Sequence, residues 1–198
     1  MSDARKRLYY GWIVLAAVVV VMLGASGIRA IFGVFIKPIE AEFGWTRQQL
    51  SGAAALSLFV LGAVGPMVGW LADVWGPRRV LRRAAAVLGA GTILASFVGH
   101  LWQMYASAGV LMAAGAGGLG IATTATVAAR WFVARRGLIL GILGGAMSAG
   151  QMIVVPLSML LISLYGWRAS FLWLGVGILA LALPVILAFV RDDPADKG

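Results

Sequence analysis

The feature that most constrains this chain is a succession of six long apolar runs, at about residues 8–36, 49–70, 80–98, 105–128, 138–164 and 170–189, joined by short polar connections. A helix needs ~20 apolar residues to cross ~30 Å of hydrocarbon. Dividing 198 residues among six runs leaves about 33 for each span with its loop, so no room remains for a soluble domain. Apolar residues make up 62% of the chain and charged residues 12%, against ~45–50% and ~25% in soluble globular domains. The runs lack the alternation of ~10-residue barrel strands, so the backbone has to satisfy its own polar groups as helices. The expected fold is all-α: a polytopic membrane protein with six transmembrane helices. Soluble enzymes, zinc modules and disulfide scaffolds are excluded, the last also because the chain has no cysteine.

The net charge of +9 reports orientation rather than nucleic-acid binding. With the N-terminus in the cytoplasm, twelve of the sixteen basic residues fall on that side, among them Arg5 to Arg7, Arg78, Arg79, Arg82 and Arg83. Only Lys37, Arg47 and Arg168 fall opposite, and Arg29 lies within the first span. The positive-inside rule therefore places both termini in the cytoplasm of a cell (inner) membrane protein. The first apolar run is too long for a cleaved signal peptide and reads as a retained helix.

A shift of 90 residues superposes Pro66 on Pro156, Leu71 on Leu161, Trp75 on Tyr165, Gly76 on Gly166 and Arg78 on Arg168. The two copies lie on opposite membrane faces. The expectation is two inverted three-helix repeats, about 8–99 and 100–190, within a single bundle spanning 1–198. Such repeats are a signature of secondary transporters.

The stretch Gly69-Trp-Leu-Ala-Asp73-Val-Trp-Gly76-Pro-Arg78-Arg79 resembles the loop motif that follows the second helix in the major facilitator superfamily. In that motif Gly69, Asp73, Gly76, Arg78 and Arg79 form a conformational latch: Gly69 allows close packing, Asp73 pairs with arginines or a helix N-terminus, and Gly76 permits the reversal. Val74 stands where a basic residue is usual and Pro77 occupies part of the basic run, which weakens the latch. Phe43-Gly-Trp-Thr-Arg47, Trp131-Phe-Val-Ala-Arg-Arg-Gly-Leu138 and Tyr165-Gly-Trp-Arg-Ala-Ser-Phe171 narrow the resemblance to the monocarboxylate and oxalate/formate porters. The tail at 191–198 resembles the start of the cytoplasmic loop that links two six-helix halves, so the chain resembles an N-terminal half. The resemblance implies secondary active transport of small organic anions by alternating access, coupled to protons or run as anion exchange. The implied partners are the anion, in symport a proton, the lipid bilayer, and a C-terminal half or a second copy. The alternative is a standalone six-helix homodimer, acting as a carrier or a noncatalytic scaffold.

All seven acids lie in tails, loops or span ends, whereas Arg29 is a cation inside a span. That asymmetry favours an anionic substrate over a cation or a carboxylate proton relay. Two readings of Arg29 stay open: attraction of a carboxylate into a cavity, or a side chain that snorkels or braces a neighbour. Steps of four bring Ile121, Thr124 and Ala128 onto one face of helix four, and Leu143, Met147 and Gln151 onto one face of helix five. Arg29, Thr124, Leu143, Met147 and Gln151 are the candidate substrate contacts, with interhelical hydrogen bonding the competing role for the polar ones. Pro66 and Pro156 are candidate helix kinks. Gly115-Ala-Gly117-Gly-Leu-Gly120 matches a dinucleotide fingerprint literally, but no strand precedes it, so it reads as helix packing. Gly65/Gly69 and Gly141/Gly145 read the same way. His100, the single histidine, reads as a solvated loop residue. No catalytic set, cofactor or metal cluster is expected.

Overall fold

The computed structural model describes residues 3–121, 123–126 and 136–190, with side chains from Tyr10 onward except that of Arg136. Ala128, most of the motif at 131–138 and the tail at 191–198 lie outside the described residues. The described elements are all helical: α1 (Asp3–Ala30), α2 (Phe32–Phe43), α3 (Arg47–Trp75), α4 (Pro77–Ser96), α5 (Leu101–Met104), a π-helical stretch (Tyr105–Met112), α6 (Ala113–Gly118) and α7 (Arg136–Phe189). Helical backbone recurs at 123–126.

Four described stretches are long and apolar enough to cross a membrane: Tyr10–Phe43, Arg47–Trp75, Leu101–Thr126 and Gly137–Phe189. Six were expected, and two physical facts account for the difference. The 20 residues of α4 begin with Arg78, Arg79, Arg82 and Arg83, which shorten its apolar part. The last two expected spans form one 54-residue element, α7, interrupted at Gly166 by non-helical backbone with φ 78° and ψ 168°. A straight helix of that length would extend ~80 Å at 1.5 Å per residue, far beyond the hydrocarbon thickness. Folding back at Gly166 brings both arms of α7 against α1. Ser26 Oγ donates to Met147 O of the first arm at 3.0 Å, and Tyr10 OH donates to Phe189 O of the second at 3.3 Å.

The connections follow from local chemistry. Gly44 takes the left-handed conformation (φ 66°, ψ 15°) and its N–H bonds Glu40 O, which ends α2. Thr46 and Gln49 then form a capping box: Thr46 N donates to Gln49 Oε1 at 2.9 Å, and Gln49 N donates to Thr46 Oγ1 at 3.3 Å. Gly76 is the single residue between α3 and α4, at φ 83° and ψ 141°, and Pro77 starts α4 where a missing N–H costs nothing. Pro66 and Pro156 lie inside continuous helix, so the break in α7 is at Gly166 and not at Pro156.

The core lies between α1, α4, α6 and the second arm of α7, and Phe35 and Phe171 meet there at 3.9 Å between ring centroids. Glycines in α6 allow this closeness: a methyl at Gly115 would strike the Leu88 backbone, and one at Gly118 would strike Ala84. The dinucleotide-like run is thus a packing surface against α4, as its lack of a strand implied. Gly65, Gly69, Gly141 and Gly145 differ from expectation, because a methyl at any of them meets no described atom within 4 Å. Gly141 and Gly145 are exposed, and Gly65 and Gly69 are half-buried.

Gly115→Ala therefore forces an immovable backbone apart, at a cost of ~1–3 kcal/mol. Gly177, exposed in the second arm with open space beside it, should gain ~0.5–1 kcal/mol on substitution by Ala. Thermal unfolding in detergent should show a lowered midpoint for Gly115→Ala and an equal or raised one for Gly177→Ala.

Candidate functional site

The first arm of α7 crosses α1 where both helices carry glycine. A methyl at Gly27 would meet Val154 and Gly150 O, and one at Gly150 would meet Leu23 O and Ser26 Oγ. The Ser26 bond to Met147 O secures the same crossing. Arg29 follows two residues after Gly27, still inside the Tyr10–Phe43 span, with its side chain exposed. No described residue forms a hydrogen bond or ion pair with it. The acids have moved no closer: Glu40, Glu42 and Asp73 are in the final turns of α2 and α3, which run further than the expected spans.

Arg29 borders two cavities. One, of about 260 Å³, is lined by Met22, Ser26, Leu61, Leu119, Ile121 and Met147 among others. The second, of about 230 Å³, is lined by Phe32, Ser57, Leu61, Met112 and Gln151 among others. Met147 and Gln151 thus fall on opposite sides of Arg29, one turn apart on α7. Gln151 is partly exposed and its amide has no partner among the described residues. A guanidinium and an amide without partners among the described residues, set in largely apolar walls, can together bind a small anion that also carries a hydrogen-bonding group.

Thr124 and Leu143 differ from expectation. Both are fully buried and line neither cavity. Thr124 Oγ1 donates to Gly120 O at 2.9 Å and lies 3.8 Å from Met22 Sδ, so its hydroxyl bonds its own helix. Leu143 faces the core one turn before Met147. Periodicity identified a common face, but the helix crossing exposes only part of it. Helix-two residues Ser57 and Leu61 and helix-one residues Met22 and Ser26 were missed. The one available signal was a serine within each apolar run.

The residues of the Gly69–Arg79 motif lie toward one end of the bundle. Arg78 Nη2 donates to Leu187 O at 2.6 Å, joining the start of α4 to the end of α7. The Arg83 guanidinium lies 4.4 Å from the Trp75 ring centroid. Arg79 is exposed, as is Asp73, which forms no ion pair among the described residues. At the opposite end, Arg168 Nη1 donates to Ser96 O at 3.1 Å, and Arg168 Nη2 pairs with Glu42 Oε1 at 2.8 Å. Trp167 Nε1 donates to Glu42 Oε2. Each arginine stands two residues past a positive-φ glycine and bonds the far end of the other's helix.

The absence of cysteine makes exposure directly measurable. Single cysteines at Met147 and Gln151 should react with a small water-soluble thiol reagent, while those at Thr124 and Leu143 should stay protected until the protein unfolds. Equal reactivity at all four would contradict the assignment of the cavity walls.

Comparison with known proteins places this geometry in a family. The Major Facilitator Superfamily profile matches residues 11–198. The chain is 31% identical over 170 residues to Monocarboxylate transporter 3 of Mus musculus, covering 84% of this chain and 34% of that protein. It is 29% identical to Monocarboxylate transporter 1 of Homo sapiens, with 84% and 33% covered. An MFS-type transporter of Bacillus subtilis (strain 168) is 26% identical over 188 residues, with 92% and 45% covered. The chain thus spans about a third to under half of the length of these relatives. The match takes in every described helix apart from the first turns of α1: the chain is an integral membrane protein of the major facilitator superfamily, a family of transporters and not of enzymes.

Proposed function

We propose that this chain is a six-helix half of a secondary carrier for small monocarboxylates, working by alternating access. Arg29 carries the reading: it is a cation inside an apolar span, without a described partner, at the boundary of two cavities. An uncompensated charge at that depth is expensive unless water or a ligand meets it. A carboxylate gives two charge-assisted hydrogen bonds to a guanidinium and removes that cost. The names of the relatives, monocarboxylate transporters among them, point to the same substrate class.

Coupling to a proton or to a second anion fits a site that holds positive charge and no described carboxylate. The basic end of the bundle faces the cytoplasm in this reading, with both termini on that side of the cell membrane. Similar backbone at Gly76 and Gly166 and the exchanged bonds of Arg78 and Arg168 support two inverted three-helix repeats. Glycines of α3 and of the first arm of α7 that meet no described atom, with exposed Leu58, Met67, Met152 and Leu157 nearby, support a second six-helix body on that face. Asp73, exposed and without an ion pair among the described residues, is then available as a latch across that contact. Pro66 and Pro156, each lacking one helix hydrogen bond, lie in the two helices that would move along it.

Purified carrier in liposomes tests the role of Arg29. Losing a hydrogen bond to a charged group costs ~1.5–3 kcal/mol, so Arg29→Ala should lower kcat/KM for monocarboxylate uptake about tenfold to a hundredfold. Arg29→Lys keeps the charge without the paired geometry and should fall between. Unchanged uptake kinetics in Arg29→Ala would remove this residue from the substrate path.

A further inference from the structure

The exposed face of α4 is one stripe, basic in its first turns and then apolar through Val87, Ala90, Leu94 and Phe97. A second exposed stripe, Trp102, Ala106 and Val110, runs along α5 and the π-helical stretch. The two elements touch at Gly91, where a methyl would meet Leu111 and Met112 N. Between that contact and the connection at 97–100, the stripes flank a cleft of about 270 Å³ whose lining includes Leu94, Phe97, Trp102, Gln103, Ala106 and Leu111. Leu94, Phe97 and Trp102 are each more than half exposed. The acceptors at the rim are already engaged: Gln103 Oε1 accepts from Gly99 N at 2.7 Å and from His100 N at 3.0 Å, and Gln103 O accepts from Ser107 Oγ at 2.7 Å. What is left is a set of donors, the Gln103 amide N–H groups and the Trp102 indole N–H, without partners among the described residues. The wall is the π-helical stretch, a rare backbone form that concentrates at functional sites. Its Ala108 and Met112 line the cavity that holds Gln151.

The bilayer itself identifies the occupant. The apolar part of α4, residues 84–96, spans ~20 Å at 1.5 Å per residue, against ~30 Å of hydrocarbon. Arg78, Arg79, Arg82 and Arg83 hold its start at the membrane surface, so the shortfall lies at the cleft, where the bilayer has to reach inward. The face assigned to a second six-helix body belongs to α3 and the first arm of α7, which leaves the cleft to lipid. We propose that it holds one acyl chain of a bilayer glycerophospholipid, whose ester and phosphate oxygens accept from Trp102 Nε1 and Gln103 Nε2. The proposal does not depend on the role of Arg29. A chain gains no hydrophobic energy by leaving other chains; dispersion against walls that would otherwise border a void, together with the rim hydrogen bonds, holds it there. The cleft is larger than the ~150 Å³ apolar cavity known to admit a benzene ring.

Photolabelling of the intact carrier, in mixed micelles of detergent and a phosphatidylglycerol with a diazirine in one acyl chain, tests the site by peptide mapping. Labelling should saturate on Leu94, Phe97, Ala106 and Leu111 as the mole fraction of phospholipid rises, and unlabelled phosphatidylglycerol should displace it. Ala106→Trp, which fills the cleft from an exposed position, should remove that labelling while leaving Trp173 and Leu181, exposed on the second arm of α7, labelled as before. Gln103→Glu keeps the acceptor for Gly99 and His100 but removes the donors. A hydrogen bond to a charged group is worth roughly tenfold to a hundredfold, so half-saturation should move up by at least about tenfold. Labelling spread alike over the cleft and the second arm, without saturation, would mean bulk lipid only and would overturn the proposal. Cleft labelling that survives Ala106→Trp would do the same. Displacement by oleate as readily as by phosphatidylglycerol would give the cleft to a free fatty acid and overturn the phospholipid assignment.

Discussion

The glycine crossing of α1 and α7 is the contact on which the rest of the site depends. Gly27 and Gly150 bring two backbones to a separation that any side chain would prevent, and Ser26 bonds Met147 O across the junction. Arg29 follows two residues beyond, on the boundary of both cavities. Its position is therefore set by backbone packing and not by a partner for its charge. Met147 and Gln151 take opposite sides of it because they are one turn apart on the same crossing helix. A larger residue at either glycine would move both walls together.

The two ends of the bundle are held differently from its middle. At one end Arg78 bonds Leu187 O; at the other Arg168 bonds Ser96 O and pairs with Glu42. Carbonyls at a helix C-terminus have no partner in their own helix, so each arginine satisfies one such group on the neighbouring helix. Because α4 and the second arm of α7 run antiparallel, the two bonds clamp opposite ends of one helix pair. The cavities lie instead beside α1, α3 and the first arm of α7, where glycines face open space. In the proposed carrier, rigidity is thus placed on the outer helix pair and freedom on the face that meets a second body.

Much of the fold was legible because lipid leaves the backbone few choices. The apolar runs marked the helices, and Trp75-Gly-Pro-Arg78 and Tyr165-Gly-Trp-Arg168 marked the two reversals, each at a positive-φ glycine. The contact between the motifs at 43–47 and 165–171, through Glu42, Trp167 and Arg168, was invisible, since nothing in either motif names the other as neighbour. The site was legible in part. Arg29 stood out as the cation in a span, and Met147 and Gln151 each line one of the cavities beside it, their contact with substrate being a proposal. Thr124 and Leu143 are buried and line neither cavity, because a helix face can be buried at one turn and open at the next. The glycine pairs at 65/69 and 141/145 show the same gap: spacing reveals a smooth surface but not what packs on it.

The most direct test of the account is the distance between a bound carboxylate and the Arg29 guanidinium. Solid-state NMR dipolar recoupling between a substrate labelled with ¹³C at C1 and ¹⁵N-labelled arginine, repeated in Arg29→Lys to assign the signal, measures it in the membrane. Charge-assisted N–H···O bonds of ~2.7–2.9 Å predict a strong coupling that disappears in the Lys variant. A substrate that remains bound while showing no coupling assignable to Arg29 would contradict the account.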